Sequence, residues 1–465
     1  MNFIIKNGIL VTAGSMYKAD LEVRDGKITT IGKNLETAGK EVVDATGKYV
    51  LPGAIDMHTH MSDPFGGTVS SDSELTGSRA AACGGVTMMF DFATQEHGMH
   101  LVEALERKKK AYDGNACIDY SLHCIVTDLF EDDSVLQEFQ DVVKYGVNTF
   151  KCYTVYREEG LMIDEEQMPK IMTAAADAGG MMTLHAENEG IIDYLIAKYK
   201  REGKMTPWYH YQSRPEYAAA QADIAAIHLA ENLNVPIYIV HMDNKEGLLA
   251  AADAKRKGYP VFVETCPHYL EFNSEVYKRK DAVKFVCSPP IKNEESRQAL
   301  WKGIQNGDVD TIATDHCPFK IEEKNWGKND FTKIPNGCGG IENRYPYMLS
   351  AASDGKISYC KAVEVCCENP AKIFGCTTKG SLEIGKDADI VIYDPQKVVT
   401  GGKETMHTAC DHSIWDGFEY HGYPVQTYLR GHLIMNQGEY VGVPGEGQFV
   451  KRTSISYKKN TIMKI

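Results

Sequence analysis

The chain has 465 residues, 43% hydrophobic and 25% charged, with a formal net charge of -14. That length predicts one large domain plus a smaller one, and the composition excludes a disordered chain. The negative charge excludes a nucleic-acid-binding surface, and no apolar run reaches the ~18 residues of a membrane helix.

The start, MNFIIKNGILV, turns polar too soon for a secretory leader. The first stretch predicts short strands and turns. FIIKNGILVT carries Asn7-Gly8, LEVRDGKITTIG carries Asp25-Gly26, and EVVDATGKYV repeats the pattern at Thr46-Gly47. Such dipeptides between apolar runs predict hairpins. The C-terminal part resumes this pattern in SLEIGKDADIVIYDP and VQTYLRGHLIMNQGEYVG. The expectation is a small β-sandwich domain built from both termini, residues 1–52 and 385–465.

The middle alternates. Eight short apolar runs occur: VLPGAIDMH, VTMMFDFA, IDYSLHCIV, VNTFKCYTV, MMTLHAE, PIYIVHMD, PVFVETCP and VDTIATDH. Helical patterns follow most of them. IDEEQMPKIMTAAADAGG has Asp164 as a cap and Gly179-Gly180 as a stop; RPEYAAAQADIAAIHLAENLN places Pro215 at a first helical position. Eight such units predict an α/β fold, a (β/α)8 TIM-like barrel over 53–384. The alternative, a doubly wound sheet, lacks its GxGxxG phosphate loop. The 13 cysteines are odd in number and form no repeating CxxC frame, which predicts free thiols in a reducing cytoplasm.

The barrel reading requires catalytic groups at the C-terminal ends of strands. Run one ends in His58 and His60, run four carries Lys151, run five ends in His185, run six in His241 and run eight in Asp315. Two histidines at i and i+2 share one strand face, so both can reach one ion. One histidine alone is more often structural. Six metal-ligand or titratable groups on one rim need six coincidences under that reading. Lys151 stands out, because a lysine in so apolar a strand is rarely buried without a partner. His123, His268 and His316 fall near the rim, as supporting or structural residues. His97, His100, His210, His228, His407, His412, His421 and His432 are expected to be structural or on the surface.

The motifs PGAIDMHTH, DPFGGT, FKCYTVY, HAEN, IVHMDN, ETCPHYL, SPP, ATDHCPF and PNGCGGIENR run in order from residue 52 to about 344. On these the chain resembles the dihydropyrimidinase/hydantoinase family of cyclic amidohydrolases. The resemblance implies two divalent metal ions, zinc by expectation, and a carbamate formed from carbon dioxide on Lys151. It implies His58, His60, Lys151 and Asp315 around the first metal, and Lys151, His185 and His241 around the second. Asp315 is implied as general base and then acid, Tyr156 as donor to the oxyanion, and Ser288 and Asn336 as holders of a cyclic imide. From sequence alone Tyr156 also reads as a packed aromatic, and Ser288 and Asn336 as turn residues.

The implied reaction opens 5,6-dihydropyrimidines or 5-substituted hydantoins to N-carbamoyl amino acids, with a homotetramer as the expected assembly. Dihydroorotases usually carry arginine two residues after the HxH pair, and allantoinases commonly asparagine; here that residue is Ser62. The segment REEGLMI, 157–163, corresponds to the family loop that lines the pocket for the ring substituent. An allantoinase-like amidase, or a non-catalytic protein like the collapsin response mediator proteins, are the competing readings. The filled ligand positions argue against the second.

Overall fold

The computed structural model describes residues 2–460. All eight predicted runs form strands of one parallel sheet, joined in sequence order. They are β1 (Ala54–Thr59), β2 (Val86–Thr94), β3 (Asp119–Ile125), β4 (Thr149–Tyr153), β5 (Met181–His185), β6 (Ile237–Ile239), β7 (Val261–Thr265) and β8 (Thr311–Ile312). Past β8, His316 bridges Thr59 in parallel and brings the two ends of the sheet together. His60 N–H donates to His316 O at 2.9 Å there. The closure therefore lies at the end where the candidate residues gather.

β4 and β5 are buried throughout, as expected of parallel strands covered on both sides. Helices lie between the strands. Asp164 Oδ1 accepts the N–H groups of Glu166 and Gln167, and the helix runs Gln167–Asp177. Gly179 ends that turn at φ +85°, a conformation glycine adopts without strain. The helix Glu216–Leu233 starts one residue later than predicted, with Pro215 as its N-cap.

The termini contribute two mixed sheets. The larger has seven strands and draws on both ends of the chain: Tyr49–Pro52 pairs antiparallel with Ile390–Thr400 and parallel with Ile9–Val11. The smaller has four strands, all from the first 44 residues. Phe3, Leu10, Leu21, Val50, Ile390 and Tyr428 join in a small core with residues from both sheets. The architecture is thus a TIM-like barrel with a small β domain.

Only one of the three predicted hairpins forms. Asp25-Gly26 joins antiparallel partners Asp20–Arg24 and Lys27–Gly32. Asn7-Gly8 and Thr46-Gly47 instead carry the chain from the four-stranded sheet to the seven-stranded one. These two turns lie side by side, with Ala45 N–H on Lys6 O and Ile9 N–H on Lys48 O. The dipeptides set the local bend, but the partner of each strand is chosen by packing.

Residues 448–455 run beneath the barrel. Val450 N–H donates to Tyr120 O, Arg452 N–H to Gly146 O and Ile455 N–H to Gly179 O. The floor is thereby covered, and the opposite end holds the larger cavity described next.

Candidate metal centre

The strand ends deliver six predicted residues to one place. Asp315 Oδ1 lies 3.2 Å from His58 Nε2 and 3.3 Å from His60 Nε2. The ring of His241 sits 5.3 Å from that of His58 and 4.6 Å from that of His185. Lys151 is wholly buried on β4, and its Nζ has no hydrogen-bond partner. It faces the rings of Tyr153 and Phe92 at 4.9 and 5.4 Å. Three residues of this group or its edge, His241, Asp315 and Tyr156, adopt positive φ. Such backbone strain at a rim is held only where surrounding structure over-determines it.

A layer of acids orients these groups. Glu264 Oε1 lies 2.7 Å from His58 Nδ1 and accepts the N–H of His241 at 3.0 Å. Asp63 Oδ2 lies 2.8 Å from His60 Nδ1. Glu187 Oε2 lies 3.0 Å from His185 Nε2 and receives Arg214 at 2.5 Å. His58 and His60, so held, turn their Nε2 atoms toward Asp315, the arrangement of an oriented metal ligand. Glu187 is pulled down to about 2: burial opposes this, but Arg214 and His185 outweigh it. Burial draws Lys151 down to about 8, with Asp315 and Glu264 working against it. Asp315 is held well below the ordinary carboxylate range, because His58, His60 and His241 outweigh its burial.

The residues fit a metal pair in their chemistry. His58, His60 and Asp315 offer ligand atoms within 4.8 Å of one another. The orphaned Lys151 amine is the further feature. A buried ammonium without a counter-charge is costly, and burial favours the neutral form instead.

A cavity of about 820 Å³ opens above these groups. Tyr156, Ser288 and Asn336 all line it, with Phe65, Leu161 and Cys317. Ser288 Oγ and Asn336 Oδ1 are buried without partners, and buried polar atoms are otherwise almost always satisfied. Tyr156 packs edge-on to Phe65 and sits 5.6 Å from the Arg214 guanidinium. Arg157 and Glu158 are exposed, so the charges of the 157–163 loop lie mainly toward solvent, with Glu159 at the cavity edge.

The other histidines stay out. His316 bonds Asp72 and receives Gly340 N–H, while His123 lies between Thr149 Oγ1 and Met57 O. His268 is buried with Nε2 unpartnered. Sequence reasoning missed Glu264, Asp63, Glu187 and Arg214 as orienting groups. The first three lie inside motifs already singled out, whereas Arg214 carries no local signal.

Residues 49–434 match the Amidohydrolase family. The chain belongs to the amidohydrolase family. Within it, the chain is 40% identical over 456 residues to a D-hydantoinase of Ralstonia pickettii, covering 97% of this chain and 99% of that one. A crystal structure of dihydropyrimidinase from Brevibacillus agri NCHU1002 superposes with a TM-score of 0.95 at 37% identity, over 98% and 99% of the two chains. An L-hydantoinase (dihydropyrimidinase) from Arthrobacter aurescens reaches 0.87 at 29% identity, over 97% and 100%. The amidohydrolase chain therefore aligns end to end with these relatives.

Proposed function

We propose that this protein is a dinuclear-metal cyclic amidohydrolase that opens the ring amide of 5,6-dihydropyrimidines or 5-substituted hydantoins to N-carbamoyl amino acids. The observation that carries this reading is the buried, unpartnered Lys151 amine amid His58, His60, His185, His241 and Asp315. The full-length likeness to hydantoinases and a dihydropyrimidinase supports it over an allantoinase. The intact ligand set disfavours a purely structural homologue.

Lys151 takes up carbon dioxide as the neutral amine, forming an N–C bond and releasing one proton. Carbamylated Lys151, His58, His60, His185, His241 and Asp315 would together hold two divalent ions. Two divalent ions, zinc by expectation, would lower the pKa of a water and polarise the ring carbonyl. Asp315 accepts a proton from the attacking water and returns it to the leaving ring nitrogen. Tyr156 donates its hydroxyl to the oxygen that gains charge. Ser288 and Asn336 satisfy the ring's polar edge, which fixes which carbonyl is presented. A homotetramer in the cytoplasm is the expected setting, and the barrel and terminal domain divide near residues 52 and 385.

The deciding measurement is ring opening of dihydrouracil against 5-phenylhydantoin by zinc-loaded protein, compared as kcat/KM. Preference for dihydrouracil assigns a dihydropyrimidinase. Preference for phenylhydantoin assigns a hydantoinase whose 157–163 loop leaves room for an aryl group. Hydrolysis of neither ring overturns the proposal.

A further inference from the structure

A second group of metal-ligand residues lies away from the centre above. Cys83 ends the helix Glu74–Cys83, which follows β1. Glu342 lies just before the helix Arg344–Ser353. His407 belongs to the connection between the terminal-sheet strands Ile390–Thr400 and Glu419–Leu429. These three segments are distant in sequence, yet the thiol, the carboxylate and the imidazole offer ligand atoms all within 4.8 Å of one another. Among the described residues, His58, His60 and Asp315 meet that same spacing, as do the sequence neighbours Cys410, Asp411 and His412.

We propose that Cys83, Glu342 and His407 form a separate site for one thiophilic divalent cation, such as zinc, that clamps the barrel to the terminal sheet. The ligand types decide the class of ion. A thiolate with an imidazole and a carboxylate suits zinc or cobalt, and is foreign to magnesium and calcium. Cys83 and Glu342 are each 1% exposed, so the ligands are largely withdrawn from water. Glu342 is already aimed: Oε2 accepts the His407 N–H, and Oε1 lies 2.7 Å from His407 Nδ1. Gly84 packs so tightly on the Glu342 backbone that any side chain there would collide with it. That contact holds Cys83 beside the carboxylate.

Space and further donors are present. The trio lines a cavity of about 260 Å³ that also holds Glu404, Gln437 and Glu439. A cation with three protein ligands needs such room for a fourth. Burial and the nearby Glu342 push the Cys83 thiol up, so the free thiol keeps its proton. The cation would displace that proton and leave a thiolate ligand, with the Glu342 carboxylate and the neutral His407 imidazole as the other protein ligands. A ligand bound only by the folded state raises its stability by mass action, here across the contact between the two domains.

Cobalt separates this site from the catalytic one, because the catalytic set contains no cysteine. Cobalt-exchanged protein is expected to show a near-ultraviolet thiolate-to-cobalt charge-transfer band that saturates at one ion per chain. Cys83→Ser should abolish the band and His407→Gln should weaken it, both with unchanged kcat/KM for ring opening. Zinc added to protein already loaded at the catalytic site should raise Tm in the unsubstituted chain and not in Cys83→Ser. Absence of the band in the unsubstituted chain would overturn the proposal, as would its persistence in Cys83→Ser. Where Cys83→Ser does not fold, an undiminished band in His407→Gln, whose side chain is partly exposed, overturns it equally.

Discussion

Two buried lysines, one at each end of the barrel, are treated in opposite ways. Lys379 lies at the junction of the barrel and the terminal sheets, with Asp119 at 2.5 Å, Asp389 at 2.8 Å and Asp387 at 3.1 Å. Burial alone would lower its pKa, but the three carboxylates raise it far above the usual lysine value. Lys151 is buried as deeply and has no carboxylate in contact, and it is drawn down to about 8. The first is an ammonium neutralised for structure. The second is an unpaired amine, the form that the proposed carbamylation requires. Burial is common to both, so the distinguishing quantity is the charge within contact distance.

Removing each lysine should therefore give opposite defects. Lys151→Ala should abolish ring opening and metal occupancy together while the fold persists, measured by kcat/KM, bound-metal analysis and circular dichroism. Full activity with both metals bound would end the carbamate proposal. Asp315→Asn tests the same end of the barrel with a smaller effect: kcat should fall by roughly 10²–10⁴, the range for a lost general acid–base, with Tm little changed. At the other end, Lys379→Met should cost about 3–5 kcal/mol of stability, as for a buried ion pair broken on one side. The folded fraction of that variant should keep its kcat/KM; a selective loss of activity would show that the two ends are coupled.

The subtlest contrast is with pH. In metal-free protein Lys151 has a native pKa of about 8 against an ordinary 10.5. Between those values the unfolded chain binds more protons than the native one, so stability rises with pH across that window. The rise should amount to ~3 kcal/mol, and Lys151→Met should lack it. Lys379, whose pKa moves the other way, should oppose this only at higher pH. Urea titrations of the unsubstituted and Lys151→Met chains at pH 8 and 10 would read the difference.

Much of the site was visible before the fold. His58, His60, His185, His241 and Asp315 stand at or just beyond the ends of apolar runs, and a parallel barrel puts all such ends on one rim. Lys151 was conspicuous because its neighbours predict burial. Arg214 was invisible, since it reaches Glu187 from a helical excursion between β5 and β6. Asn7-Gly8 and Thr46-Gly47 misled for the converse reason: a turn dipeptide specifies a bend but not the strand that the chain will join.

By itself the sequence determined the eight-fold alternation, the polar residues at the strand ends and the composite terminal sheet, because periodicity and turn chemistry act over a few residues. Tertiary structure alone decided three things. It left Lys151 without a hydrogen-bond partner and gave Lys379 three carboxylates. It set Glu264, Asp63 and Glu187 behind the histidines. It brought Cys83, Glu342 and His407 together from segments at least 65 residues apart. Most of these are matters of charge and distance between residues far apart in sequence, which only packing fixes; Asp63 and Glu187, two or three residues from their histidines, are the local exceptions.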